Sequence, residues 1–111
     1  LRYRGEQSGT EYTLPVQYAD THHGVVVMAG KPDTKTWWRN FTTIGQVQVL
    51  LAGTWVPMTA HALVGSVDPD AVTPLLRSYA ARFPNVVKSL EGATLEERVD
   101  RAVVVWLRPA A

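Results

Sequence analysis

The stretch QVQVLLAGTWVPMTAHALV, residues 46–64, decides the fold because two apolar patterns flank a tight turn. Residues 46–49 alternate polar and apolar side chains, which is typical of a strand with one buried face. Ala52-Gly53 is a two-residue turn signal. In residues 54–64 the side chains that share an apolar face are Val56, Met58, Ala60, Ala62 and Val64. The stretch therefore predicts a β-hairpin.

Three further segments have β patterns. In residues 12–18 large apolar or aromatic side chains alternate with polar ones, and Pro15, which has no N–H, predicts an edge position or a bulge. Residues 25–29 and 102–107 are continuous apolar runs, as expected of strands covered on both faces. The pattern predicts a mainly β (α+β) fold, a small barrel of about six strands with short helices packed outside.

Helix signals are few. Asp33 or Thr34 can cap a helix that runs through residues 37–41. Thr73-Pro74 predicts the start of a second helix, which Pro84 ends. Thr94-Leu-Glu-Glu97 is a capping-box pattern for a third.

Composition bounds the class of protein. The 111 residues, 46% of them hydrophobic, predict one globular domain spanning residues 1–111, and the net charge of +1 gives no overall attraction to polyanions. The chain has no cysteine, which excludes disulfides and thiolate chemistry and fits a reducing, cytoplasmic setting. No apolar run approaches the ~20 residues of a transmembrane segment. Because the chain begins at Leu1 within apparent structure, we expect a short N-terminal segment to be missing, and membrane association through it is left open.

The strongest candidate for chemistry is the segment KPDTKTWWRNF, residues 31–41. It combines adjacent indoles at Trp37 and Trp38 with three cations and Asn40. Large rings either fill a core or subunit interface, or form a wall for a planar ligand. The cations Lys31, Lys35 and Arg39 favour the second interpretation, because they suit the anionic tail of a nucleotide-like cofactor.

Other motifs carry weaker alternatives. The loop from Arg4 to Gly9 could direct backbone N–H groups at an anion, although the motif alone favours an ordinary hairpin turn, because short Gly/Ser loops are common. His22 and His23 would point to opposite faces of a strand, so no metal site is predicted. No G-x-S-x-G motif presents a nucleophilic serine, and no catalytic residue is predicted. Basic and aromatic residues can bind single-stranded nucleic acid, but the low net charge and the lack of a second basic strand argue against that partner.

The order Ser8-Gly9, Leu14-Pro15-Val16, an apolar strand ending before Lys31, and Trp37-Trp38-Arg39-Asn40-Phe41 resembles the deazaflavin-dependent nitroreductase family. That family belongs to the split-β-barrel flavin and deazaflavin oxidoreductases of actinobacteria. The resemblance implies a six-stranded split β-barrel with flanking helices, related to FMN-binding split barrels. It also implies a homodimer.

The resemblance further implies a site for coenzyme F420, a deazaflavin with a phosphate and an oligoglutamate tail. By position, the implied cofactor-binding residues are Ser8, Gly9, Gly30, Lys31, Lys35, Trp37, Trp38 and Asn40. Where the family usually has G-R-K-S-G, this chain has Gly5-Glu-Gln-Ser-Gly9, and a further family arginine appears as Tyr12.

The implied function is F420-dependent hydride transfer to a small quinone, enone or nitro acceptor. Three alternatives stay open. One is the same fold with FMN, whose single phosphate needs fewer cations. Another is a protein that binds the flavin or deazaflavin without turnover. The third is a structural dimer with the tryptophans packed between subunits.

Overall fold

The chain is described here from a computed structural model that covers residues 1–5 and 7–110, and these residues form one antiparallel sheet of seven strands with short helices. The strands are β1 (Arg2–Arg4), β2 (Glu11–Thr13), β3 (Tyr18–Thr21), β4 (Gly24–Met28), β5 (Gly45–Leu51), β6 (Thr54–Val64) and β7 (Val103–Pro109). Their order across the sheet is β2-β1-β5-β6-β7-β4-β3. The expectation of a mainly β, α+β fold is confirmed.

The hairpin predicted from residues 46–64 is the centre of the sheet. Strands β5 and β6 pair without interruption from Gly45 opposite Ala60 to Leu51 opposite Thr54. Ala52 and Gly53 both have positive φ, 48° and 82°, as the tight primed hairpin turns require. The turn and the alternation therefore determine the register together.

One core lies against the inner face of the sheet. It contains side chains from five strands, and several of them, including Val49, Ala60 and Leu107, are at most 1% exposed. The 3-10 helix contributes Trp38 and Phe41 to this core, and Trp37 packs against it. The sheet is open, because β2 and β3 are its two edge strands.

The open seam corrects the prediction of a six-stranded barrel. Residues 12–18 were expected to be one strand, whereas β2 and β3 are separate strands at opposite edges of the sheet, joined by residues 14–17. Pro15 lies in that connection and cannot donate to a ladder. Leu14 instead bonds to Leu1, through Leu14 N–H to Leu1 O at 2.9 Å. One expected strand thus becomes two, which gives seven strands and an open sheet.

A second core lies between the other face of the sheet and the helices α1 (Pro69–Arg82), α2 (Pro84–Lys88) and α3 (Leu95–Arg101). The capping box is confirmed at α3, where Thr94 Oγ1 accepts from Glu97 N–H at 3.2 Å. The predicted start of the preceding helix at Thr73-Pro74 is wrong. Helix α1 begins at Pro69, because the Asp68 side chain caps it by accepting from Ala71 N–H at 3.4 Å.

The helix predicted from Asp33 or Thr34 is shorter than expected. A 3-10 helix spans Trp37–Phe41 only, with Thr36 before it. Residues 31–35 form a turn in which the Lys31 carbonyl accepts from the N–H groups of Thr34 and Lys35 at 3.0 and 2.9 Å. This short helix sits on the inner core and positions one side of the candidate site.

Candidate functional site

A cleft of about 450 Å³ opens between the β1–β2 hairpin and the 3-10 helix. Its volume is within the range of about 300–1,000 Å³ that small-molecule sites occupy. The hairpin and the turn within it contribute five of the lining residues, and the helix and its approach contribute four. The lining residues are Tyr3, Gly5, Gln7, Ser8, Tyr12, Thr36, Trp37, Arg39 and Asn40.

Aromatic rings form the base of the cleft. Tyr3 and Tyr12 are cross-strand neighbours whose rings stack with centroids 5.5 Å apart. Phe41 packs edge-on against Tyr3 at 5.3 Å and against Trp37 at 6.4 Å. Burial, and secondarily the nearby Tyr12, raises the pKa of Tyr3, so its hydroxyl stays protonated at neutral pH. The base is therefore uncharged and suited to a planar ring.

The turn of residues 5–10 is held by its own hydrogen bonds. Gly5 N–H donates to Thr10 O at 2.8 Å, Gly9 N–H donates to Gly5 O at 2.9 Å, and Thr10 N–H donates to Ser8 Oγ at 3.2 Å. A Cβ at Gly5 would lie 2.8 Å from Ser8 Oγ, so glycine lets the turn close. The amides of Gly5, Gly9 and Thr10 are engaged inside the turn, which favours the turn interpretation over an anion-binding loop.

The two tryptophans have different environments. Trp38 is buried at 8% exposure, donates from Nε1 to Pro32 O at 3.2 Å, and belongs to the inner core. Trp37 is half-buried and lines the cleft. Asn40 also lines it and donates from Nδ2 to Trp37 O at 2.8 Å, which stabilises the 3-10 helix. The interpretation of the pair as a wall thus applies to Trp37, whereas Trp38 has the core role.

Five of the eight predicted residues are not among the described residues that line the cleft. Trp38 is in the core, and Gly9, Gly30, Lys31 and Lys35 are exposed. Lys31 adopts a positive φ of 48° in its turn. Ser8, Trp37 and Asn40 are the predicted site residues that this cleft brings together. Their role in cofactor binding stays a prediction, as does that of the other five.

Two tyrosines of the cleft, Tyr3 and Tyr12, were not among the residues predicted to bind the cofactor. A predicted hairpin between β1 and β2 would have placed Tyr3 opposite Tyr12. Residues 2–4 were not predicted as a strand, so this pairing was missed. Arg39 is exposed, stacks its guanidinium 5.4 Å from the Trp38 ring centroid, and is the one charged residue among the described residues lining the cleft. Glu6 lies outside the described residues. The aromatic rings at the bottom of the cleft can stack on a planar ligand, and the Arg39 guanidinium can donate to a single anionic group of that ligand.

The histidines and acidic side chains form no metal site within residues 1–5 and 7–110. His22 and His23 lie in the turn between β3 and β4, and their ring centroids are 3.9 Å apart. Neither histidine is in a strand, so the argument from opposite strand faces does not apply to them.

Comparisons with known proteins give no relative: no family model, curated protein or solved structure matches this chain. In the described part of the chain, the helices are all too short or too polar to cross a bilayer.

Proposed function

We propose that this chain is an F420-dependent oxidoreductase that reduces a small quinone, enone or nitro acceptor. The cleft between the β1–β2 hairpin and the 3-10 helix is the proposed cofactor site. The observation that carries the proposal is that Ser8, Trp37 and Asn40 line one cleft, although two separate segments supply them. The family resemblance had assigned both segments to the cofactor.

The residues of the cleft suit the two parts of such a ligand. Tyr3, Tyr12 and Trp37 offer ring faces and edges against which a planar heterocycle can stack. Arg39 offers a guanidinium for a phosphate, and Gln7 and Ser8 offer neutral polar groups. When bound, the deazaflavin supplies the hydride chemistry itself, so the protein needs no nucleophile of its own.

FMN is the second candidate cofactor. The specific observation in its favour is charge: Arg39 is the one cation among the described lining residues, while Lys31 and Lys35 are elsewhere. A single phosphate needs fewer cations than the phosphate and oligoglutamate tail of F420. A non-catalytic carrier would use the same cleft. The structural-dimer alternative placed both tryptophans between subunits, but Trp38 packs in the core of its own chain and only Trp37 is left for such a contact.

The test is a fluorescence titration of the purified chain with F420 and, separately, with FMN. We expect Arg39→Gln to raise Kd at least about tenfold, since a charge-assisted hydrogen bond contributes roughly 1.5–3 kcal/mol. Arg77→Gln is the matched control, because Arg77 is an exposed arginine on α1. Lys31→Ala should leave Kd unchanged if the cleft is the site.

The outcomes separate the alternatives. Absence of binding by both cofactors, or a loss of affinity with Lys31→Ala and not with Arg39→Gln, would refute the cleft as the cofactor site. If a cofactor binds, the protein and the reduced cofactor are mixed in turn with a quinone, an enone and a nitroarene. Absorbance then measures the oxidation of the cofactor. Binding without turnover on any acceptor would identify a carrier instead of an oxidoreductase.

The homodimer also stays a proposal. Exposed apolar side chains such as Ile44, at 56% exposure, and Val67, at 81%, are compatible with a subunit contact. Light scattering coupled to gel filtration measures the mass directly, and a monomer at all concentrations would exclude the dimer.

A further inference from the structure

The outer face of the sheet is covered by helices on one side only. Helix α1 contacts β3, β4, β6 and β7, and the second core ends at Leu63 and Trp106. Beyond that point the outward side chains of β1, β5, β6 and the end of β7 belong to neither core. They include Arg2, Arg4, Gln46, Gln48, Pro57, Thr59 and Arg108, which together with Trp55 and Trp106 we call the open face.

Two arginine–tryptophan stacks mark the ends of the open face. The Arg2 guanidinium carbon lies 4.2 Å from the Trp55 ring centroid, and that of Arg108 lies 4.1 Å from the Trp106 ring centroid. Trp106 pairs with His61, which is six residues from Trp55 along β6. At about 3.3 Å per residue the stacks are about 20 Å apart.

The orientation of the second stack is determined by the backbone beneath it. The Trp106 indole donates from Nε1 to His23 O at 2.7 Å, and a Cβ at Gly24 would lie 3.2 Å from that nitrogen. Glycine at position 24 therefore allows the indole to lie close to the sheet. The ring is held in place while Arg108 covers it, so the stack is preorganised.

A groove of about 520 Å³ lies where β1 pairs with β5 at Arg2–Gln48, beside the Arg2–Trp55 stack. The second stack is not among its described lining residues. Arg2, Arg4, Gln46 and Gln48 line it, and Glu11 is the one carboxylate among its described lining residues. Glu11 lies 3.7 Å from Arg2 and 4.0 Å from Arg4. The groove thus combines cations with neutral amides.

We propose that the open face binds single-stranded nucleic acid with little base preference. Phosphates would contact Arg4, Arg108 and the remaining N–H groups of Arg2, whose Nε and Nη2 donate to Gln48 Oε1. Unpaired bases would stack on the two arginine–tryptophan pairs, and the Gln46 amide and Gln48 Nε2 would meet base edges or sugars. Arg2 and Arg4 exceed the charge of Glu11 in the groove, and Arg108 adds a further cation on the same face, which provides the charge complementarity to a polyanion.

This proposal reverses the sequence-based expectation against nucleic acid. That expectation depended on the low net charge and on the absence of a second basic strand. The sheet brings Arg108 of β7 to the same face as Arg2 and Arg4 of β1, so the positive charge is local. The inference does not depend on the proposed redox function, because Arg2, Arg4 and Arg108 are not among the described residues that line the cleft.

The experiment is fluorescence anisotropy of a labelled oligothymidylate of about 12 nucleotides with the purified chain, from about 50 to about 200 mM salt. With up to three phosphate contacts we expect a slope of log affinity against log salt near −2, since each contact on a single strand contributes about −0.7. Arg108→Gln should weaken binding at least about fivefold and reduce the slope by about 0.7.

The controls separate this surface from general charge attraction. Trp55→Leu should weaken binding at least about fivefold with the slope unchanged, because stacking involves no counterion release. Arg77→Gln on α1 removes the same charge elsewhere and should have no effect. Circular dichroism establishes that each variant is folded, and Arg4→Gln, at a side chain 74% exposed, repeats the charge test at a position with little packing.

Three results would overturn the proposal. One is no anisotropy change up to about 100 µM protein at the lowest salt. Another is an equal loss with Arg77→Gln and Arg108→Gln. The last is a stable dimer that Arg108→Glu dissociates, since the open face would then be a subunit interface.

Discussion

Gly65 offers the sharpest test of how β6 meets α3. It is buried directly after β6, and its N–H donates to Ala102 O at 2.9 Å. A Cβ on Gly65 would overlap the carbonyl oxygen of Val99 and lie 2.8 Å from its carbonyl carbon. Both are backbone atoms at the end of α3, so no side-chain rotation can relieve the overlap. We expect Gly65→Ala to destabilise the fold by at least about 3 kcal/mol, at the upper end of overpacking costs.

The assay is urea denaturation followed by circular dichroism, with the free energy of unfolding extrapolated to water. Gly30→Ala is the matched control, because a Cβ there meets no atom within 4 Å and the residue is exposed. Its stability should stay within about 1 kcal/mol of the parent, on the stabilising side. A loss below about 1 kcal/mol for Gly65→Ala would refute the close approach of α3. Gly30→Ala should also leave the cofactor affinity unchanged, because Gly30 is not among the described residues that line the cleft.

Two further predictions concern tyrosines. Tyr79→Phe removes the hydroxyl that donates to Gln17 O at 3.1 Å. We expect the free energy of unfolding in urea to fall by about 1–2 kcal/mol. An unchanged urea midpoint would show that water replaces the bond. Tyr3 has a raised pKa, so its contribution to stability is complete below its ordinary value near 10 and is lost as pH rises through the raised value. Thermal melts at increasing alkaline pH should therefore fall more steeply for the parent than for Tyr3→Phe; parallel curves would contradict the burial of that hydroxyl.

Local signals predicted much of the sheet. The bounds of β6 agree with the alternation read from residues 54–64, and the turn at Ala52-Gly53 is where its chemistry required it. These features depend on side-chain period and on positive φ, which neighbouring residues determine. The start of α3 was also predicted from a local signal, because its cap is a hydrogen bond between Glu97 N–H and Thr94 Oγ1, three residues apart.

Errors arose where long-range packing overrides a local signal. Thr73-Pro74 has the form of a helix start, yet the helix continues through Pro74 from Pro69. Burial of Val72, Leu75 and Leu76 on one face compensates for the hydrogen bond that proline cannot donate. The Thr73 hydroxyl, which donates to Pro69 O at 2.7 Å, adds a local bond.

The candidate cleft shows the same division. Adjacent tryptophans on a short helix are equivalent in the sequence, and only the core decides that Trp38 is buried while Trp37 lines the cleft. Of the three cations in residues 31–41, only the tertiary structure decides that Arg39 lines the cleft while Lys31 and Lys35 are outside its lining.

By itself, the sequence determined a β-rich domain, its central hairpin and the segments worth testing for a planar ligand. These follow from periodicity, turn chemistry and residue type, all of which act over a few residues. Tertiary structure alone decided that residues 12–18 divide between the two edge strands of an open sheet, which tryptophan lines the cleft, and that arginines of β1 and β7 share one face. The physical reason is that strand order and burial depend on contacts between residues far apart in the chain, which no local pattern encodes.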